Sequence, residues 1–263
     1  GFATKEEIKK LSEGKMFDEI TPIIEEESKI VSLAFNQFKR LQNTVNVNSN
    51  DLKKSKEFLN EKLNNLNSKL DKLLAENYYQ VESSDKGTPN EQKFNEWKTS
   101  HQPFHWFAEF YEVIEQNKGF DVIIGNPPYV EYSKVSKEYK IKNFKTEKCG
   151  NIYANILERM FSLKSNIIMG MIVPMSIGCT QRMESIMNFF NNEGFYISNF
   201  GWRPSKLFEG ATQANISLSI LLTNKSKKNY TTDYNRWASN YRPFLFENIK
   251  YVEFNNQKQN HIF

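Results

Sequence analysis

Phe120-Asp121-Val122-Ile123-Ile124-Gly125 runs directly into Asn126-Pro127-Pro128-Tyr129, and no other stretch restricts the possible folds of this chain so tightly. The apolar run reads as a buried strand. The two prolines can continue neither a sheet ladder nor a helix, so they end that strand in a rigid polar tip. In open α/β sheets ligands bind outside the carboxyl ends of strands, which is where this tip would lie.

Such a tip suits an amino group whose lone pair is delocalised into a neighbouring π system. The Asn126 side-chain oxygen and the Pro127 carbonyl are adjacent acceptors for its N–H groups, and Pro128 fixes their directions. Tyr129 offers a flat ring on which a planar amide or a flipped base could stack. A Pro-Pro turn after any buried strand, with Tyr129 as ordinary packing, is the bland alternative.

Elements downstream follow a βαβ pattern. Residues 151–163 read as an amphipathic helix, 167–173 as a buried strand ending at Pro174, and 181–192 as a further helix. Strands at 195–202 and 216–223 complete the pattern.

The first third differs in kind. Ile20, Ile23, Ile24, Ile30, Val31, Phe35, Phe38 and Leu41 recur at helical spacing, and the Asn-rich stretch 43–50 interrupts them. Leu52, Leu59, Leu63, Leu66, Leu70 and Leu73 then follow a heptad with its gap at Lys56, which predicts an antiparallel helical hairpin and a possible seam for self-association.

Charge is divided unevenly. Residues 1–118 hold 17 Lys+Arg against 20 Asp+Glu, and residues 119–263 hold 18 against 11. Lys134, Lys137, Lys140, Lys142, Lys145 and Lys148 follow the tip within fifteen residues, a loop suited either to a polyanion or simply to solvent. His101, His105 and Glu109 share helical spacing, but Pro103 interrupts it and aromatics surround it, so no metal site is expected. Cys149 and Cys179 form no disulfide framework, which makes a reducing cytoplasm the default. No apolar run approaches the ~18 residues of a membrane span.

Ile124 to Tyr129 resembles motif IV of the amino-methyltransferases that use S-adenosylmethionine. Asn151-Ile152-Tyr153 with Leu157-Glu158, then Ile172-Val173-Pro174, and Arg182 with Phe189-Phe190 are similar to the succeeding elements of gamma-class adenine-N6 DNA methyltransferases of the Type IIG restriction-modification kind. Leu207-Phe208-Glu209-Gly210-Ala211, leading into Ile216 to Leu221, looks like motif VIII, whose aromatic contacts the flipped base and falls here on Phe208. The resemblance covers about residues 104–224. It implies an α/β fold, the second half of a Rossmann-like methyltransferase sheet whose parallel strands end in an antiparallel hairpin.

Three regions follow from it: a helical spacer over 1–103, a partial catalytic domain over 104–224, and a linker over 225–263 toward a target-recognition region, with Arg236 and Arg242 as candidate phosphate contacts. Double-stranded DNA and the remainder of a parent polypeptide are the implied partners. The glycine-rich turn that holds S-adenosylmethionine in this family is missing, since the eleven glycines include no G-x-G. The chain therefore reads as a fragment whose first catalytic strand has an unpaired edge. Protein glutamine and RNA amino-methyltransferases share the tip, and a non-catalytic helical module on a degenerate half remains the non-enzymatic alternative.

Overall fold

The computed structural model describes residues 1–12, 20–83, 87–138, 141–163, 168–208 and 215–254. The chain divides into two compact units, Gly1–Gly119 and Phe120–Phe263.

The first unit is helical. It contains α1 (Lys5–Ser12), α2 (Ile20–Asn43), α3 (Ser49–Asn77), α4 (Glu91–His101) and the short α5 (Trp106–Glu109). Asn48 caps α3 by accepting from the Asn50 amide. The turn between α2 and α3 bends at Asn46, whose φ is 64°. Glu27 pairs with Lys69 across the hairpin, positions nearly equidistant from that turn, so the two helices run antiparallel as expected.

The buried stripe is narrower than the apolar pattern suggests. Ile24, Ser28, Val31 and Ala34 are buried on α2, whereas Ile23 and Phe35 are exposed. Leu59, Leu66, Leu70 and Leu73 of α3 face inward, and Ser55 takes the position beside the gap at Lys56. The aromatic segment 104–110 belongs to this unit, with Phe107 and Ala108 in the core that α2 and α3 build.

The second unit is a six-stranded mixed sheet of β1 (Val122–Gly125), β2 (Ile168–Pro174), β3 (Phe195–Phe200), β4 (Leu218–Thr223), β5 (Asn229–Asn235) and β6 (Val252–Phe254), in the order β1-β2-β4-β3-β5-β6. β1 and β2 are parallel, β4 is antiparallel to both β2 and β3, and β5 is parallel to β3. The carboxyl ends of β1, β2, β3 and β5 therefore share one end of the sheet. Helix α6 (Ile152–Ser162) crosses between β1 and β2, the short α7 (Ser176–Cys179) follows β2, and α8 (Glu184–Glu193) leads into β3.

One face of the sheet is packed. Met169, Met171, Val173, Ile197 and Leu221 meet Tyr153, Leu157, Ile186 and Phe190 in a single buried core. Its opposite face presents Val122, Ile124, Ile168 and Leu222, all exposed, with Ile124 79% accessible. Gly170 lies between Ile124 and Leu222, and a Cβ there would come within 3.3 Å of the Ile124 side chain. β1, read from sequence as buried, is an edge strand here because the described residues pair it with β2 alone.

Two further strands enter the sheet from residues expected to form a linker. β5 is polar, and its place is secured by hydroxyl and amide bonds. Thr232 Oγ1 accepts from the Asn199 amide, and Asn199 Oδ1 accepts from Ser219 Oγ. Asn199, Ser219 and Thr232 are all buried, a satisfied polar seam in which each group has its partner.

Candidate functional site

At the carboxyl end of β1 the chain leaves the sheet through Asn126 to Tyr129. Asn126 and Pro128 are exposed, Pro127 is buried, and Tyr129 is half-buried. The Tyr129 hydroxyl lies against Asn126 Oδ1 in a short hydrogen bond and 3.0 Å from the Ile172 carbonyl of β2, two acceptors for its single proton. Its ring meets the buried Tyr153 ring edge-on, with centroids 6.3 Å apart. Burial pushes both phenols up to about 12, so each hydroxyl stays protonated at neutral pH.

Holding Asn126 by its oxygen orients the carboxamide. An amide oxygen has two lone pairs, so Oδ1 can accept from Tyr129 and from one further donor. The Pro127 carbonyl belongs to the adjoining peptide, and proline's fixed φ leaves that stretch little freedom.

The chain beyond the tip is clamped. The Ile152 amide donates to the Val130 carbonyl, and the Tyr132 amide to the Gly150 carbonyl, which pins the tip's exit to the start of α6. Glu131 receives both Arg182 terminal nitrogens, at 2.7 and 3.1 Å, and Asn151 Nδ2 at 3.3 Å. Bonding to Arg182 holds the Glu131 carboxyl below its ordinary range. Asn151 also caps α6 through Tyr153. Sequence reading noticed Asn151 and Arg182 only as parts of a resemblance; Glu131, which joins them, carried no signal beyond following the tip.

The lysine segment divides into parts. Lys134, Lys137, Lys142, Lys145 and Lys148 are exposed, and Lys140 lies outside the described residues. Lys145 and Thr146 are tied down by Glu158 of α6, which accepts from both amides and from the Thr146 hydroxyl, and the Phe144 amide donates to Glu147. Phe208 is exposed on the connection from β3 to β4, at the same end of the sheet as the tip. No ring contact joins it to Tyr129 among the described residues, and Glu209 to Ala211 lie outside them.

The histidines of the first unit are separately engaged. His105 is buried, with Nε2 2.9 Å from Asp71 and Nδ1 accepting from the Phe2 amide, while His101 Nδ1 lies near Ser100 and Trp97. Among the described residues no cluster of His, Cys, Asp and Glu could hold a metal ion. No helix among them is long and apolar enough to cross a membrane. Arg242, considered as a phosphate contact, instead donates to the carbonyls of Lys206 and Leu207 and braces the segment that carries Phe208.

Comparison with known proteins gives this geometry a family. A protein of Methanocaldococcus jannaschii named as a type II restriction enzyme and methyltransferase is 32% identical over 103 residues, 39% of this chain and 8% of the relative. Among solved structures, a DrdV–DNA complex aligns over 59% of this chain and 19% of its own, with a TM-score of 0.43 and 14% identity. A nuclease-deletion mutant of the Type ISP restriction-modification enzyme LlaGI, bound to a DNA substrate mimic, aligns over 78% of this chain and 23% of its own, with the same score and identity. The chain thus spans under a quarter of the length of each of these relatives. Residues 8–200, well over half the chain and including the whole Asn126–Tyr129 tip, match the Eco57I restriction-modification methylase family, and the chain belongs to it.

Proposed function

We propose that this chain is the substrate-binding half of a DNA methyltransferase that transfers a methyl group to adenine N6 within a restriction-modification or related defence system. Family membership supports methyl transfer, and the tip geometry supports an exocyclic amine as acceptor. The single observation that carries the reading is the oriented Asn126 amide, whose oxygen keeps a lone pair free beside the Pro127 carbonyl. Two adjacent acceptors match the two N–H bonds of an adenine amino group.

S-Adenosylmethionine would supply the electrophilic methyl. The residues here do not form its cradle, since none of the eleven glycines lies in a G-x-G turn, so its binding is assigned to another part of the parent polypeptide. This chain's own work is to capture the base. A flipped adenine leaves the duplex at a cost of about a few kcal/mol, and stacking on the accessible part of Tyr129, with Phe208 at its edge, offsets about 1 to 3 kcal/mol of that. The amine donates to Asn126 Oδ1 and the Pro127 carbonyl, which aims its lone pair outward. Lys134, Lys137, Lys142, Lys145 and Lys148 supply positive charge near the phosphates. The exposed edge of β1 and the apolar face around Ile124 then receive the cofactor-binding half.

Asn126→Ala in the complete enzyme tests the reading. Methyl transfer is expected to fall by at least about a hundredfold, the effect of removing an oriented acceptor at a reacting centre. DNA affinity, measured by fluorescence anisotropy, is expected to stay within about threefold; unchanged turnover would sink the assignment.

A further inference from the structure

Trp202, Arg203, Tyr234 and Arg236 lie at the carboxyl ends of β3 and β5, the sheet end that also carries Asn126. The Arg203 guanidinium sits 4.0 Å from the centre of the Trp202 ring, and that of Arg236 sits 5.0 Å from the centre of Tyr234. These two pairs adjoin. A Cβ on Gly201 would come 3.1 Å from the Tyr234 hydroxyl and 3.3 Å from Arg236 Cγ, so the β5 side chains pass close over the end of β3 here. The Tyr234 hydroxyl is further fixed by Ser217 Oγ at 2.6 Å, and the Gly201 amide donates to the Asn235 carbonyl at 2.8 Å.

Both arginines are exposed, and among the described residues neither has an acidic partner. Asp233, the nearest acid along β5, lies where the pairing with β3 shifts register between Thr231 and Tyr234, and among the described residues it pairs with neither arginine. A guanidinium held over a ring can turn its N–H edge outward, from which it meets a phosphate with two parallel bonds. Sequence reading considered Arg236 alone, as one of two isolated cations, because pairing with Trp202 and Arg203 depends on the neighbouring of β3 and β5.

We propose that Trp202–Arg203 and Tyr234–Arg236 form one phosphate grip for the target duplex, beside the base-capturing tip. β3 and β5 are three and four strand positions from β1, about 14 to 19 Å at ~4.8 Å per strand. At about 3.4 Å per base pair this places the gripped phosphates roughly four to six base pairs from the flipped adenine. The grip rests on the proposal that the parent enzyme acts on DNA, and it adds the surface that fixes register on that DNA without reading its sequence.

The test is the salt dependence of binding by the complete enzyme to a fluorescent duplex, comparing wild type with Arg203→Gln, Arg236→Gln and the double variant. Each single change is expected to lower the slope of log K against log salt by about 1, and the double change by about 2, equally for specific and random sequences. Arg203→Lys is expected to keep the slope while weakening affinity, since the charge stays and the planar fork is lost. Thermal melts of the variants serve as a folding control. Unchanged slopes in an enzyme that binds DNA overturn the grip while leaving the methyltransferase reading intact, and a wild-type enzyme that does not bind duplex DNA overturns both.

Discussion

At the scale of residues, the site depends on one hydroxyl. Tyr129 orients Asn126 and reaches the Ile172 carbonyl, so Tyr129→Phe keeps the ring and removes the device that aims the amide. The expected loss is about 1 to 2 kcal/mol of transition-state stabilisation, roughly a five- to thirtyfold lower kcat, with base capture reported by 2-aminopurine fluorescence little changed. Tyr129 and Tyr153 both have raised pKa values near 12 against an ordinary 10.0. Because the folded values lie above the unfolded ones, their contribution to stability is complete below pH 10 and disappears as pH rises through 12. A titration of absorbance near 295 nm on the chain should therefore show two of its twelve tyrosines ionising last, together with unfolding. The turn that carries Asn126, Pro127 and Tyr129 out of the sheet was legible from sequence because the double proline permits few geometries. Their coupling was not, since nothing in the order of residues says that a phenol three positions on turns back to its own asparagine.

Among the elements, β1 was legible as an apolar run, though not its exposure, and α6 by its amphipathic pattern, whereas β5 was not. β5 contains no aliphatic residue, and of its polar side chains Thr232 is buried against Asn199 of β3 and Asn229 against Asn191 of α8. A satisfied polar seam of that kind leaves no apolar pattern to read. The Glu131–Arg182 clamp likewise joins elements far apart in sequence. Both side chains are substantially exposed, 40% and 45%, so the ion pair contributes at most about 1 kcal/mol to stability. Its expected role is to fix the exit from the tip: Arg182→Ala should leave the melting temperature within about 3 °C but lower methyl transfer several-fold, with Arg182→Lys restoring only part of it. For β1, the exposed Val122 and Ile124 form an apolar edge, unpaired among the described residues and open to self-association. Ile124→Lys is expected to reduce association of the isolated chain in sedimentation velocity, while an unchanged profile would move any self-association to the helical hairpin.

Across the whole molecule, the helical unit and the sheet unit divide the work unequally. All the groups assigned to base capture and phosphate contact lie after Phe120, in the basic part of the chain, while the acidic first unit is held by its own buried core and by the Asp71–His105 pair. The packed face of the sheet is complete, with α6 and α8 filling it, but the opposite face is apolar and open around Ile124, Ile168 and Leu222. The proposed substrate-binding half of a larger domain would present such an apolar sheet face, with an edge that is unpaired among the described residues. The most direct test of the central claim is to incubate the complete parent polypeptide with DNA, RNA and protein in the presence of methyl-labelled S-adenosylmethionine, then digest the products to nucleosides and amino acids for mass spectrometry. The account expects the label on adenine N6 of DNA, abolished by Asn126→Ala; label on cytosine, on RNA or on glutamine, or N6-methyladenine that persists in that variant, would contradict it.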